Sequence, residues 1–538
     1  MKRTLSRRLF AIGLPLAMAA LTITNARGAD DVPGEWRTYN RSLQADRYAP
    51  LDQIRSSNVS MLKPVCVYDL NVDASFQTGP IVIGDTLYAT TEREVVAIDA
   101  GSCALKWRVR EADPPVGGRS GTGTNRGLAY LDGRVFRGMP EGDLIAYDAA
   151  TGKKVWTRRI GDPAKGESVS AAPIAWNGLV FVGIAGGDAY GVKGRIHALD
   201  AATGAVVWAT YTVPTDSPQA GNEKMQAQAK TTWGNDQGVP ITGGGTWTSY
   251  SLDPEGGLLY VPVGNPAPDF AGRIRRGDNL YTNSLLVLDA KTGIYRKHYS
   301  LVPADVHDWD VASAPVLVTT KAGKRIVAAA PKDGVLYGYD LSTDKRIFAT
   351  SVTTRENVEQ PLSTTPTRFC PGMAGGTAWN GPAYSPDTNL LYTGAIDWCH
   401  TVTLDPSQLV KSPGQLWTGA AAANPLGLPD LNWAGWVTAV DADSGQVRWR
   451  FRTGAPVVSG ITTTKGGLVF AGDLDKHAYA FDAETGGVLW RADLPGAPGG
   501  GIITYLVGNQ QRVAFAVGMT NRVMRTTPAS AKIAVFGL

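Results

Sequence analysis

One phrase that recurs about every 50 residues constrains this chain of 538 residues more than any other feature. Each copy is an alternating apolar segment that ends in Asp, followed in most copies by Thr-Gly or Ser-Gly. Repeats of this length are typical of propellers and solenoids, in which each unit packs against the next. The copies end at Asp99, Asp148, Asp200, Asp289, Asp340, Asp441 and Asp482.

The order of residue types within each copy predicts a β-hairpin. An Asp side chain can accept hydrogen bonds from the turn backbone, and Gly supplies the positive φ that a tight turn needs. An aromatic residue eight positions after the Asp gives the unit a large apolar group that packs against its neighbour. This residue is Trp in the first three and the last two copies. It is Phe348 in the copy that ends at Asp340, whereas Lys297 breaks the pattern in the copy that ends at Asp289.

The spacing of the copies predicts how many units there are. Successive Asp residues lie 49, 52, 89, 51, 101 and 41 residues apart, so two units carry insertions or conceal a further unit. We favour insertions, because residues 217–245, 351–376 and 401–433 have the poor periodicity of long loops. Residues 501–538 lack a closing hairpin, which a strand at 62–70 could complete. The sequence therefore predicts an all-β, eight-bladed β-propeller closed by pairing of its N- and C-terminal strands.

The first 28 residues have the composition of an export signal. A basic start precedes the apolar run 9–23 and small residues at 26 and 28, as in cleaved signal peptides. We expect a signal peptide at 1–28 and a single propeller domain at 29–538, located in the periplasm, with an uncleaved anchor as the alternative. No later stretch approaches about twenty apolar residues, which predicts no membrane span in the mature protein.

Charge and cysteine content narrow the function further. The net charge is +4, and no basic run follows the N-terminus, so a surface that tracks nucleic-acid phosphates is not expected. Four cysteines in an exported chain indicate two disulfides rather than catalytic thiols. The haem-attachment sequence Cys-x-x-Cys-His is absent, so any electrons would leave on another protein.

Three short segments add clustered polar side chains to the repeat. Gly186-Gly187-Asp188 and Gly264-Asn265 each follow an apolar strand, and His307-Asp308-Trp309-Asp310 begins a unit. Taken singly, each could be a polar turn or a cap. Together they supply carboxylates and an amide oxygen, the ligands that a hard cation such as Ca²⁺ prefers.

Four phrases carry a resemblance to a known family. They are Gly243-Gly244-Gly245-Thr246-Trp247, Val263-Gly264-Asn265-Pro266-Ala267-Pro268, Trp309-Asp310-Val311-Ala312 and Pro331-Lys332-Asp333-Gly334. Their order and spacing resemble those of the quinoprotein alcohol dehydrogenases, which include methanol dehydrogenase large subunits. The resemblance covers essentially the whole mature chain. It implies an eight-bladed propeller with tryptophan-docking repeats that binds pyrroloquinoline quinone and Ca²⁺ on its axis and oxidises an alcohol.

The resemblance also implies a role for each matching residue. Asp310 matches the catalytic carboxylate, which accepts the substrate hydroxyl proton while hydride passes to the quinone carbonyl carbon. Trp247 matches the indole on which the cofactor plane stacks, and Lys332 matches the cation near its reducible carbonyl. Arg126 and Ser170 match groups that bind cofactor carboxylates.

Three positions depart from the family pattern. Gln77 lies where the family usually has a cofactor-binding Glu. Asp188 takes the place of a Glu metal ligand, with Asn265 and Asp310 as the other two ligands. Ser120-Gly121 replace the adjacent cysteine pair that lies over the cofactor. We therefore do not expect the alcohol to be methanol or ethanol by default.

The implied ligands also suggest which cation binds. Related lanthanide-dependent dehydrogenases carry a further Asp two residues after the catalytic one, whereas this chain has Ala312. Two carboxylates and one neutral oxygen suit a divalent hard cation, so the sequence favours Ca²⁺.

We predict that Cys370 pairs with Cys399, from the resemblance, and that Cys66 pairs with Cys103, from the closure of the ring. The partners follow from the resemblance. Cys370 and Cys399 match a family pair, and Cys66 and Cys103 lie in neighbouring strands if the N-terminal strand closes the ring. The resemblance implies a soluble electron acceptor such as cytochrome c. The rival interpretation is a non-enzymatic eight-bladed scaffold of the outer-membrane assembly type, which would need neither a metal site nor a stacking indole. A lipobox cysteine would favour the scaffold, and none follows the signal.

Overall fold

The computed structural model describes residues 1, 32–114 and 123–538. Within these ranges the chain forms eight successive sheets of four antiparallel strands, the seventh of which gains a fifth strand. We number these sheets 1 to 8 along the chain. The predicted signal peptide, Met1 aside, and the pair Ser120-Gly121 lie outside the described residues.

The first four sheets follow one another between residues 81 and 300. Sheet 1 comprises Ile81–Ile83, Thr86–Thr90, Glu94–Asp99 and Leu105–Arg110. Sheet 2 comprises Ala129–Leu131, Arg134–Gly138, Asp143–Asp148 and Lys154–Arg159. Sheet 3 comprises Ile174–Trp176, Leu179–Gly183, Arg195–Asp200 and Val206–Tyr211. Sheet 4 comprises Ser251–Asp253, Leu258–Pro262, Ser284–Asp289 and Tyr295–Ser300.

The other four sheets include strands from both ends of the described chain. Sheet 5 comprises Val316–Thr319, Arg325–Ala329, Val335–Asp340 and Arg346–Ser351. Sheet 6 comprises Ala383–Ser385, Leu390–Asp397, Ala434–Asp441 and Val447–Thr453. Sheet 7 comprises Thr462–Thr464, Leu468–Asp473, His477–Asp482 and Val488–Asp493, with Tyr48–Ala49 parallel to its first strand. Sheet 8 comprises Pro498–Val507, Gln510–Val517, Ser530–Gly537 and Lys63–Asp73.

Smaller elements lie mainly in the inserted segments. In residues 32–114 and 123–538, the one α-helix is Glu223–Thr231, and the 3₁₀ turns are Val59–Met61, Pro163–Lys165, Gly272–Ile274 and Pro406–Leu409. Short sheets pair Gly234–Asn235 with Arg275–Arg276, Thr242–Gly243 with Pro266–Ala267, and His400–Val402 with Thr367–Phe369 and Leu428–Pro429. In the described structure, residues 217–245, 351–376 and 401–433 form no further four-stranded sheet, as the insertion hypothesis predicts.

The repeated Asp ends the third strand of each of sheets 1 to 7. In sheet 3, Asp200 Oδ1 accepts hydrogen bonds from the backbone N–H and the hydroxyl of Thr203, at 2.8 and 2.7 Å. Gly204 follows with a φ of +71°, a conformation that glycine adopts without steric cost. The predicted hairpin and its turn chemistry are therefore confirmed.

The repeated aromatic lies in the fourth strand and packs on the turn of the next sheet. The indole Nε1 of Trp156 donates to the carbonyl of Ala201 at 3.1 Å, and its ring covers Gly204. A Cβ at Gly204 would lie 2.7 Å from this ring, so the contact requires glycine. The same arrangement joins Trp107 to Gly152, Trp208 to Gly293 and Trp449 to Gly486.

The fourth copy has a charged side chain where the other copies have an aromatic ring. Lys297 occupies the aromatic position, and its Nζ lies 2.5 Å from Asp344 Oδ1. Asp344 occupies the position of the turn glycine in sheet 5, with a φ of +57°. An ion pair between equivalent positions thus joins sheet 4 to sheet 5.

Apolar side chains fill the spaces between neighbouring sheets. Separate clusters join each sheet to the next, from sheet 1 through sheet 8. A further cluster packs Tyr505 and Ile533 of sheet 8 against Val82 and Leu87 of sheet 1. Lys63–Asp73 pairs with Ser530–Gly537, as predicted for the terminal strands. Among residues 32–114 and 123–538, no helix is both long and apolar enough to cross a membrane.

Two disulfides cross-link the chain as predicted. Cys66 in sheet 8 is bonded to Cys103, in the turn before the last strand of sheet 1. The second disulfide joins Cys370, which directly follows the short strand Thr367–Phe369, to Cys399, which lies after the second strand of sheet 6. The first of these ties the N-terminal strand of sheet 8 to sheet 1.

We expect Trp449→Ala to destabilise the fold by about 3–5 kcal/mol, because a large aromatic side chain is lost from a packed interface. Trp449 is buried, and its indole donates to the Ala483 carbonyl. Denaturant unfolding measures the change. Val447→Ala, on the exposed face of the same strand, is the control and should cost no more than about 0.5 kcal/mol. Equal losses in both variants would contradict the docking role.

Candidate active site

The predicted site residues meet at one end of sheets 1 to 5. In an antiparallel sheet, the first strand begins at the end where the second strand finishes. The residues that precede first strands are Gln77, Arg126, Ser170, Trp247 and Asp310, and those that follow second strands are Asp188, Asn265 and Lys332. Five successive sheets therefore present these side chains on the same side of the molecule.

A cavity of about 350 Å³ lies at this end, within the size range of small-molecule sites. Seven of the eight predicted residues line it, and Gln77 is not among its described lining residues. Gln77 Nε2 donates to Ser75 Oγ at 3.1 Å, and Thr124, which does line the cavity, donates to the same oxygen at 3.3 Å. Gln77 is thus linked to the cavity wall through Ser75 and Thr124.

Trp247, Arg126 and Ser170 form one wall of the cavity. The Arg126 guanidinium lies 4.5 Å from the centroid of the Trp247 ring. It donates to Ser170 Oγ at 3.1 Å and to the Trp247 carbonyl at 3.0 Å. Burial lowers the pKa of Arg126 to about 10, and its Nε has no hydrogen-bond partner in the described structure. This wall therefore offers an aromatic ring and a buried cation to an anionic ligand.

Asp310 is buried and held by three donors. Its Oδ1 accepts hydrogen bonds from Trp247 Nε1 at 3.2 Å and from the backbone N–H of Asn265 at 3.0 Å. Its Oδ2 lies 2.6 Å from Lys332 Nζ. These contacts fix the orientation of the carboxylate at the cavity surface.

Lys332 bridges two carboxylates. Its Nζ lies 3.3 Å from Asp308 Oδ2 as well as 2.6 Å from Asp310 Oδ2. Burial by itself would lower the pKa of Lys332, but Asp308 and Asp310 outweigh it and hold that pKa above its usual range. The ammonium therefore stays charged at neutral pH.

Two further carboxylates line the cavity: Asp269, which sequence reasoning missed, and Asp308, which belongs to a segment that the sequence analysis singled out but was not assigned as a ligand. Oxygens of Asp188, Asp269 and Asp308 all lie within 4.8 Å of one another. Burial, together with the smaller effect of the neighbouring negative charge on Asp310, raises the pKa of Asp188 to about 6. The positive charge of Lys332 and a hydrogen bond from Asn265 oppose this shift. The available signal was proximity to the motifs, since Asp269 directly follows one quoted phrase and Asp308 lies two residues before Asp310.

These side chains fit a planar, anionic ligand together with a hard cation. Trp247 supplies the flat face, and Arg126 supplies a buried positive charge with an unused donor. Carboxylate and amide oxygens from Asp188, Asn265 and Asp310 are ligands of the kind that hard cations prefer. The structure therefore brings the predicted cofactor and metal residues into one cavity, except for Gln77.

Comparisons with known proteins agree with this arrangement. The family described as "Glucose/ethanol/alcohol dehydrogenase, beta-propeller domain" matches residues 36–356. The family described as outer membrane protein assembly factor BamB matches only residues 434–533, which contain none of the predicted site residues. The scaffold interpretation thus has no support at the site.

Individual relatives align over nearly the whole chain. Quinohemoprotein alcohol dehydrogenase ADH-IIG of Pseudomonas putida is 31% identical over 93% of this chain and 75% of its own length. The crystal structure of quinohemoprotein alcohol dehydrogenase from Comamonas testosteroni gives a TM-score of 0.85 at 27% identity, covering 95% of this chain and 81% of the other. A europium-containing methanol dehydrogenase gives 0.83 at 27% identity, with coverage of 95% and 99%.

The cavity combines an indole face, a buried guanidinium and oxygen atoms that can bind a cation. The chain also matches these relatives over almost its whole length. The chain belongs to the family of pyrroloquinoline quinone-dependent alcohol dehydrogenases.

Proposed function

We propose that this protein oxidises an alcohol to an aldehyde or ketone at the described cavity, with Asp310 as the catalytic base. The main observation in support of this proposal is that Asp310 lines the cavity and that neighbouring donors orient both of its carboxylate oxygens. When bound, pyrroloquinoline quinone supplies the carbonyl carbon that accepts hydride from the substrate. Asp310 takes the hydroxyl proton of the alcohol, a role that typically contributes about 10²- to 10⁴-fold to the rate.

The wall of Trp247, Arg126 and Ser170 is proposed to bind the quinone. The Trp247 ring offers a face for the cofactor plane, while Arg126 and Ser170 donate to its carboxylates. Lys332 holds a positive charge beside the reacting groups. Gln77 is proposed to act through the Ser75 and Thr124 link, since its side chain is separated from the cavity by these residues.

Asp188, Asn265 and Asp310 are proposed to hold the cation, which we assign as Ca²⁺. A hard cation held by these three side chains would supply Lewis-acid polarisation of the group that accepts hydride. The absence of an Asp at position 312 supports a divalent ion by the resemblance, and the oxygen donors at the site suit Ca²⁺.

We further infer that residues 29–538 are one propeller of eight blades in a closed ring. The apolar clusters that link consecutive sheets, and the one that links sheet 8 to sheet 1, support this arrangement. Two disulfides support export to an oxidising compartment, the periplasm. Electrons are proposed to pass to a separate soluble acceptor such as cytochrome c, as the family resemblance implies.

We expect Asp310→Asn to lower kcat by at least about 10³-fold while quinone binding largely survives, because the amide keeps an oxygen ligand but cannot accept a proton. Steady-state turnover with an artificial dye acceptor measures the rate, and absorbance of the bound quinone measures occupancy.

Asp473→Asn is the matched control for this experiment. Asp473 is fully buried in sheet 7 and bonds to Tyr479, away from the cavity. This control should keep normal turnover once folded. Turnover near wild type in Asp310→Asn with bound quinone would refute the assignment of the base.

Reconstitution tests the cation. We expect metal-free protein supplied with the quinone to turn over alcohol when Ca²⁺ is added, since the predicted ligands carry two carboxylates and one neutral oxygen. Activity with La³⁺ alone would overturn the assignment of Ca²⁺. We expect Asp188→Ala to lose calcium-dependent activity, whereas activity that no longer needs calcium would overturn the placement of Asp188 as a ligand.

A further inference from the structure

The cavity contains more acidic groups than the proposed cation ligands require. Of the three residues whose oxygens converge within 4.8 Å, only Asp188 belongs to the predicted ligand set. The other two, Asp269 and Asp308, are 1% and 4% exposed and line the same cavity. Burying carboxylates this close together costs free energy unless a positive charge compensates them.

Asp308 presents an unused oxygen at this point. Its Oδ2 is 3.3 Å from Lys332 Nζ, while its buried Oδ1 has no hydrogen-bond partner in the described part of the chain. An unsatisfied buried acceptor is costly. Asp308 also has a backbone φ of +62°, a conformation that is uncommon for residues other than glycine. The backbone thus holds Asp308 in an unusual conformation, with one oxygen left for a ligand.

Asp269 is oriented by Asn265. The Asn265 Nδ2 donates to Asp269 Oδ1 at 3.1 Å. This bond uses the amide nitrogen, so the amide oxygen, the atom that a hard cation takes, is not engaged by Asp269. A single contact therefore orients one carboxylate and one amide together.

The nearest basic side chains neutralise this group only in part. Lys332 contacts Asp308 and Asp310. Arg275 directs its hydrogen bonds to the carbonyls of Pro268, Asp269 and Asp305 and to the side chain of Asn279. Four carboxylates, those of Asp188, Asp269, Asp308 and Asp310, thus line a cavity in which one ammonium contacts two of them.

We infer that Asp188, Asp269 and Asp308 together ligate the cation proposed above, and that this site binds the cation before the quinone binds. Hard cations take six or more oxygen ligands, and three carboxylates with the Asn265 oxygen supply a large share from the chain alone. This inference deepens the proposed function, because it concerns the same cation. It adds two ligands and removes the need for the quinone in cation binding.

The test uses folded, quinone-free and metal-stripped protein, titrated with Tb³⁺ at neutral pH. Excitation of a nearby indole sensitises Tb³⁺ luminescence by energy transfer. Trp247 lines the cavity and can act as the energy donor. Displacement of Tb³⁺ by Ca²⁺ then reports the affinity for calcium. We expect the wild-type protein to bind one Tb³⁺ at the site, and Asp269→Asn and Asp308→Asn each to weaken binding of both ions by about tenfold or more.

Asp253→Asn is the matched control. Asp253 is a buried carboxylate at the opposite end of sheet 4, paired with Arg325 at 2.8 Å, and this variant should bind both ions as the wild type does. Circular dichroism confirms the fold of each variant. If a variant does not fold, the rise in the thermal midpoint of the wild type on adding Ca²⁺ without quinone tests the preformed site by itself.

Two results would overturn the inference. One is unchanged affinity in Asp269→Asn and Asp308→Asn while Asp188→Asn loses binding, which would leave the three predicted ligands as the whole site. The other is failure of the wild type to bind Tb³⁺ or Ca²⁺ without quinone, as expected if shared protons relieve the repulsion. Either result would leave alcohol oxidation by the reconstituted protein unaffected. Conversely, cation binding without alcohol turnover by the reconstituted protein would contradict the proposed function but not the proposed cation ligands.

Discussion

The contact on which the rest of this structure depends is an indole lying flat on the turn of the next sheet. The Nε1 of Trp156 is hydrogen-bonded to a backbone carbonyl, and its ring occupies the space where a Cβ of Gly204 would lie. Both halves of the contact are therefore fixed, which sets the distance and angle between two sheets. The contact recurs between sheets 1 and 2, 3 and 4, and 6 and 7, and the Lys297–Asp344 ion pair joins sheet 4 to sheet 5. Neighbouring sheets are thereby placed relative to one another, and the strand ends of sheets 1 to 5 face a common cavity.

That placement explains how residues far apart in sequence form one site. Arg126 and Lys332 belong to different sheets, yet both approach the Trp247 ring, at 4.5 and 5.7 Å from its centroid. Each lies where a strand begins or ends, so its backbone has left the regular hydrogen-bonded ladder and can adopt the conformation that the site requires. Rigid sheets thus position the side chains, while the segments at their ends carry the chemistry.

The sequence was informative wherever a feature was periodic. The Asp, the turn glycine and the aromatic recur at fixed offsets, so the hairpins, their docking and the terminal strand pairing could all be predicted. The substitution of charge for an indole at Lys297 could be seen, but its partner Asp344 could not, because that pairing depends on the adjoining sheet. Asp269 was missed, and Asp308 was noticed within its segment but not assigned as a ligand, for a related reason: the grouping of these residues with Asp188 is created where three sheets meet, and no local pattern records it.

The same separation of roles accounts for the unfavourable electrostatics of the cavity. A group of buried carboxylates with an unpartnered oxygen does not stabilise a fold, since each ionised oxygen loses its hydration. The stabilising contacts lie elsewhere, in the apolar clusters between sheets and in the indole docking, and none of them depends on Asp188, Asp269 or Asp308. The scaffold can therefore tolerate repulsion at the strand ends, and concentrated negative charge there is best explained by the binding of a cation.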